Sequence, residues 1–319
     1  GLGDVYKRQG PPLPATTPVA TDRAKAARHE RARRRRFALL HALPLPAWQL
    51  AFFLGPLLFL LVLSFWTVRD FRIEPAFAWI NWERMLGQPH VWQTYARTFG
   101  YALLATVLAS LIAFPASFAI AFQLSERRRR LCMFLLVIPF FTSYLVRVYA
   151  WQIFLSDEGV INALLGALGL GPARMLNTAL GTQIGYLTLT LPLVVLIQTM
   201  SLLLVDRSQI EAARNLGCAP LRSVFQVVIP AARVGLVVAA LFCFIFAFGD
   251  FVSPLYLGGG TAPTMSLLII DTTKAGQQWP RAAVLAVLMI ATLMAVALAM
   301  TSYAYRGRKC CLLYTSPSP

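Results

Sequence analysis

Two ionisable side chains, Arg147 and Asp250, lie inside stretches that are otherwise apolar. In a bilayer such groups are costly enough to be read as functional by default. Asp250 falls about 16 residues, or roughly 24 Å at 1.5 Å per residue, into one apolar run. Phe248, Phe251 and Tyr256 surround it in the sequence, and Pro254 and a glycine triplet at 258–260 follow, which predicts a helix break nearby. A carboxylate among aromatic faces suits an amine cation, through ion pairing and cation–π attraction. The plainer reading of the same carboxylate is a helix cap, or a partner for Arg147 near the outer mouth. Arg147 would repel a cationic solute. Gating or pairing therefore fits it better than solute contact, and a side chain that reaches the nearby interface is its plainest reading. Phe251 and Tyr256 join these two as pathway candidates. Asp157, Glu158 and Asp271 fall in connecting loops, where acids can attract cations or touch a partner but usually do neither.

A third constellation is not ionic. Glu211, Ala212 and Ala213 are followed by Gly217 and then by Val227, Ile229 and Pro230. The alanines permit close backbone approach, and Glu211 can pair with a basic residue of another chain. What is missing matters as much. Phosphate-binding loops for ATP need Lys after Gly and before Ser or Thr. The lysines are Lys7, Lys25, Lys274 and Lys309, and none follows a glycine. Five Cys and three His show no metal-ligand or disulfide spacing. Cys132, Cys218 and Cys243 are expected as separate thiols. No catalytic residue, no metal and no cofactor bound by this chain is expected, and an enzymatic role is excluded from the first reading.

The elements that must position these residues follow from composition. Of 319 residues 58% are apolar and only 13% charged, far from the roughly 25% charged of a soluble domain. Crossing a hydrocarbon core of about 30 Å takes about 20 apolar residues in a helix. Six stretches qualify, at 48–68, 98–124, 131–154, 179–205, 234–257 and 282–303. Pro115, Pro139 and Pro192 lie inside three of them, which lipid-embedded helices tolerate. The fold class is therefore an all-α membrane protein with six transmembrane helices. The first stretch exceeds a signal-peptide core and no small-residue cleavage site follows it, so it is read as an anchor.

Orientation follows from the 29 Lys and Arg residues, which outnumber the 13 acids. Ten precede the first stretch, four form 127–130, four lie between the fourth and fifth stretches and three follow the sixth. The alternate loops hold seven. Basic residues collect on the cytoplasmic side, so both termini are expected in the cytoplasm. The same placement turns the arginine-rich run at 31–36 from a nucleic-acid signal into a topology signal, and no nucleic-acid partner is expected. Residues 1–47 form a basic cytoplasmic tail, 48–306 the membrane domain and 307–319 a second tail. Residues 1–9 and most of the last tail resemble translated adapter read-through and are left out of the fold argument.

The loop at 206–233 is built rather than merely polar. Residues 211–217 predict a short helix that ends at Gly217, the residue best suited to a left-handed C-terminal position. Leu221, Val224, Phe225 and Val228 then recur at helical spacing, so a second short helix is predicted, ended by Pro230. Together they make a docking surface along the membrane.

Glu-Ala-Ala, three residues, Gly, nine residues, then aliphatic, any residue, aliphatic and Pro resembles the EAA loop of membrane subunits of ATP-binding-cassette (ABC) importers. It departs from that pattern only by conservative aliphatic replacement at Val227 and Ile229. Ile138 to Trp151, Gly159 to Asn162 and Gly249 to Gly259 resemble the spermidine and putrescine branch of these permeases, and the likeness covers roughly 48–306. It implies a type I ABC importer permease in the inner membrane, multi-pass in the lipid bilayer, carrying polyamines or a related small organic solute. It also implies a second permease subunit, two ATP-binding cassette subunits that hold ATP–Mg and dock on the loop at 206–233, and a periplasmic solute-binding protein. The rival readings are a secondary active transporter for a small organic cation, which expects midplane acids or histidines, and a membrane-anchored enzyme.

Overall fold

The computed structural model describes residues 44–69, 72–260, 263–275 and 277–305. The basic tail before residue 44 and the suspected read-through ends lie outside the described residues. The chain divides into two compact units at Leu60 and Leu61, described in turn.

The first unit carries most of α1. Pro44–Gln49, a π turn at Leu50–Leu54 and Gly55–Leu63 run on as one helix, apolar on every side. A helix apolar all round suits lipid rather than an aqueous surface.

The second unit opens at Leu61 with the last residues of α1, which stops at Leu63, five residues before the expected end at Val68. Ser64 turns its hydroxyl onto Leu61 O (2.6 Å), and Asn81 donates to the carbonyls of Ser64 and Trp66 (3.1 and 2.7 Å). These side chains satisfy carbonyls that another helical turn would have used. Thr67–Arg69 (β1) and Arg72–Glu74 (β2) instead pair as a short antiparallel hairpin. Ile80–Leu86 (α2) follows, and Trp82 donates to the Ser64 hydroxyl at 3.1 Å.

Three long helices make the centre: Pro89–Gln123 (α3), Ala179–Leu203 (α7) and Pro220–Gly249 (α9). In lipid there is little hydrophobic force between apolar helices, so close approach and interhelical hydrogen bonds hold them together. The inner face of α3 accordingly reads Thr98, Ala102, Ala105, Ala109, Ala113 and Ser117, all buried, whereas Leu103, Leu104, Leu111 and Ile112 face outward. Gln183 of α7 donates to Tyr101 O (3.1 Å) and Ser117 to Val195 O (3.1 Å). Ser201 of α7 donates to Ala232 O of α9 (3.0 Å), next to Gly235, where any Cβ would stand 2.2 Å from the serine oxygen. Tyr186, Phe244 and Phe248 fill the middle with Met265 and Leu285. The last two come from Met265–Lys274 (α11) and Trp279–Tyr305 (α12).

Among the described residues five helices are long and apolar enough to cross a bilayer, and six if a bent pair is taken as one span. That pair corrects the expectation of one continuous helix at 131–154. Glu126–Phe141 (α4) stops at Thr142, whose backbone is extended, and the stretch Tyr144–Ala167 leaves at 92°. It comprises Tyr144–Leu155 (α5) and Val160–Ala167 (α6). Pro139 lies inside α4, and Thr142 turns its hydroxyl back onto Pro139 O (2.9 Å), closing the helix end. The fifth stretch is corrected at both ends. Pro230 does not end a separate helix: a π turn at Val224–Val228 carries the backbone straight into Ile229–Gly249. The wide turn accommodates a residue that has no amide hydrogen to give. At the other end α9 stops at Gly249, and Asp250 is outside it.

Candidate functional site

The glutamate–alanine loop is formed by Arg207–Asn215 (α8) and the first turns of α9. Asp206 caps α8, its Oδ1 accepting from Ser208 N at 3.0 Å, and that amide holds the Asp206 carboxyl below the usual carboxylate range. At the other end Cys218 N donates to Ala213 O (3.0 Å) and Gly217 N to Arg214 O (2.9 Å), with Gly217 at φ +80°. This is a Schellman closure, and it requires a left-handed residue at Gly217. Nothing stands within 4 Å of a Cβ built there, so backbone conformation rather than space demands the glycine. Ile210 packs inward beside Val228 and Ala232. Leu216 and Leu221, by contrast, are 89% and 75% exposed on either side of the glycine turn. Glu211 lines a cleft of about 150 Å³ with Arg207, Arg214, Phe118 and Phe122. Ala212 is exposed, Ala213 half-buried, Val227 and Ile229 half-buried, and Pro230 exposed. The loop therefore offers two bare leucines and a polar cleft, carried on a helix whose ends are both closed.

The second candidate lies at the far end of α9. Asp250 is buried, and its carboxylate is saturated from inside the chain. Oδ2 accepts from the Tyr144 hydroxyl at 2.7 Å and from Ser253 Oγ and N at 2.5 and 3.2 Å, while Oδ1 accepts from Val252 N at 2.9 Å. The Tyr144 and Ser253 hydroxyls also touch. The two amides belong to Val252–Tyr256 (α10), so Asp250 ties the break after α9 to the start of α5. Tyr144 and Ser253 were not among the candidate residues. Ser253, three positions after the acid, was a findable cap signal, whereas Tyr144 is 106 positions away.

Arg147 and Asp250 form no ion pair. Arg147 Nη1 donates to Thr188 O of α7 at 3.2 Å, its guanidinium carbon sits 5.8 Å from the Tyr144 ring centre, and its Nε is buried without a partner. Thr188 lies about nine residues along α7, or roughly 14 Å from its first turn. Arg147 is thus tied to the middle part of α7 rather than to its end. Tyr256 faces Tyr149 with ring centres 5.0 Å apart, and Phe251 is partly exposed. The structure gathers Asp250, Tyr256 and Arg147 around α5 and α10; Asp250 and Arg147 do not pair, but both meet Tyr144, one at its hydroxyl and the other at its ring.

Among the described residues no cluster of three or more His, Cys, Asp or Glu is placed to hold a metal.

Residues 105–309 match the family described as "Binding-protein-dependent transport system inner membrane component". The chain is similar to the spermidine/putrescine transport system permease protein PotB of Haemophilus influenzae, 31% identical over 238 residues, covering 73% of this chain and 82% of that protein. PotB of Escherichia coli is 30% identical over 240 residues, covering 73% and 85%. The backbone also resembles the crystal structure of a bacterial ABC transporter involved in the import of the acidic polysaccharide alginate. The TM-score is 0.71 at 16% identity, over 86% of this chain and 98% of that one.

Proposed function

The chain belongs to the family of inner membrane components of binding-protein-dependent transport systems, and from that premise we propose that its solute is a polyamine of the spermidine and putrescine class. It is a multi-pass inner-membrane permease subunit with the fold of an ABC importer permease. The observation that carries the solute reading is the 31% identity to a spermidine/putrescine permease across 82% of that relative's length. Membership leaves no ground for a carrier driven by an ion gradient alone.

The partner reading is built on the loop geometry. A second permease subunit completes the pathway, and two ATP-binding cassette subunits hold ATP–Mg and dock where Leu216 and Leu221 stand bare beside Glu211. This chain then binds no nucleotide of its own. A solute-binding protein delivers the polyamine on the opposite face. Closure of the ATPase pair pushes on α8, and because α9 is unbroken from Pro220 to Gly249, the push is carried to the Asp250 break as a rigid-body movement. The permease makes no covalent change to its solute.

Purification of the complex from cells expressing the chain with its neighbouring transport genes tests the reading. An ATPase should copurify, and the companion binding protein should retain spermidine or putrescine. Retention of an amino acid or a phosphonate instead would overturn the solute class.

A further inference from the structure

Arg147 is a cation at membrane depth without an anion. Its Nη1 is spent on the backbone carbonyl of Thr188, its Nε is sealed without a partner, and no Asp or Glu among the described residues pairs with it. Asp250, which shares Tyr144 with this arginine, is filled by Tyr144, Ser253 and two amides. A charge at such depth pairs or faces water. Anchorage on α7 also ties this arginine to the middle part of that helix.

The surroundings say what the missing group is. Arg147 lines a cavity of about 230 Å³ with Ala150, Trp151, Phe154 and Thr188. That open space is large enough for a carboxylate side chain. Beside it the face of α5 is bare and apolar: Val146 is 64% and Ile153 68% exposed. Hydrocarbon tails would cover the valine and isoleucine but cannot neutralise the guanidinium. A polyamine would repel it. A protein surface that is apolar around one carboxylate satisfies both.

We propose that Arg147 and the exposed face of α5 form the contact with the second permease subunit, with an Asp or Glu side chain of that subunit seated in the Arg147 cavity. The proposal rests on the reading that two permeases assemble. It places an ion pair between two chains rather than within one.

The test uses the intact complex reconstituted in proteoliposomes, with labelled putrescine uptake as readout. A second permease chain, identical or different, must first be found in the wild-type complex; its absence overturns the two-permease reading itself. Given that partner, Arg147→Glu should lower uptake by about tenfold or more, as expected for a half-buried cation replaced by an anion facing an anion. Reversal of one membrane-embedded Asp or Glu of the partner to Arg should bring uptake back to within about threefold of wild type. Because Arg147→Glu can fail to assemble, an Ala150→Cys variant is measured alongside. It should crosslink to a cysteine placed next to that acid in the partner. Wild-type uptake in Arg147→Glu, a complete reversal scan without rescue, or no crosslink from Ala150→Cys would each overturn the proposal while leaving the two-permease reading standing. Unchanged polyamine uptake together with a changed preference for solutes bearing a carboxylate would assign Arg147 to solute instead.

Discussion

At the scale of the residue, Asp250 shows how a charge that sequence marks as functional can be consumed by architecture. Its carboxylate accepts four hydrogen bonds and belongs to a helix break, so its first duty is to hold α10 and α5 to the end of α9. Asp250→Asn removes one charged acceptor oxygen and brings an NH2 into a site built from donors. Losing hydrogen bonds to a charged group at a buried position costs about 1–3 kcal/mol. The expected outcome is a lower melting temperature of the detergent-purified complex and lower expression. Adding Arg147→Gln should not restore either, because the two side chains form no ion pair and meet only at opposite ends of Tyr144, its ring and its hydroxyl. Restoration by the double variant would show that the pair meets in the membrane. The acid and its neighbouring aromatics were legible from the sequence, because an ionisable residue in an apolar run stands out. Its partner Tyr144 was not, since nothing local links residues 106 positions apart and the 92° bend that places Tyr144 at the start of α5 is not announced by the sequence.

Among elements, the glutamate–alanine loop was the most legible because its signals are local. Gly217 after a polar helix predicts a left-handed close, and Gly217 has φ +80°. Local signals failed where a neighbouring turn absorbed them. Pro230 reads as a stop, yet the π turn before it lets α9 run through. Thr142 and Ser143 sit in a run apolar enough to pass for continuous helix, and the chain turns there. The aromatic run after Ser64 reads as more membrane helix, but β1 and β2 pair once Asn81 and Trp82 close the helix end. The loop gives the element-scale prediction. A β-branched residue at Gly217 costs about 1–2 kcal/mol in the left-handed region, while Asn, which tolerates that region, costs less. With open space around the position, the whole effect is one of loop geometry. Gly217→Val should insert normally, retain less ATPase subunit on purification and lose most uptake, with Gly217→Asn in between. Equal retention and uptake in all three would remove the loop from ATPase docking.

For the molecule as a whole, the long helices and the family are settled, and orientation is the property that ties the two candidate sites to opposite faces. The argument rests on basic residues. Arg127, Arg128, Arg129 and Arg130 stand at the start of α4, where Arg129 also donates to Ile120 O and Ala121 O at 3.2 Å and so closes the end of α3. This arginine therefore has a structural duty besides any topological one, which lowers the weight of that cluster in a charge count. A direct measurement is preferable, and the structure chooses its probes. Cys218, next to the glycine turn, is half-buried and already present, whereas Cys243 is fully buried. A cysteine at Gly259 would be poor on the other face, because its Cβ would meet the Asn177 side chain and the backbone there has φ +63°. Gly171, in the exposed turn between α6 and α7, has open space and no such conformation. With Cys132, Cys310 and Cys311 replaced by Ser, an impermeant maleimide applied to intact spheroplasts should label Gly171→Cys and leave Cys218 untouched. Inverted vesicles should give the reverse. Labelling of Cys218 from outside would turn the molecule over, putting the loop proposed to dock the ATPase where no ATP is available and undoing the coupling argument with it.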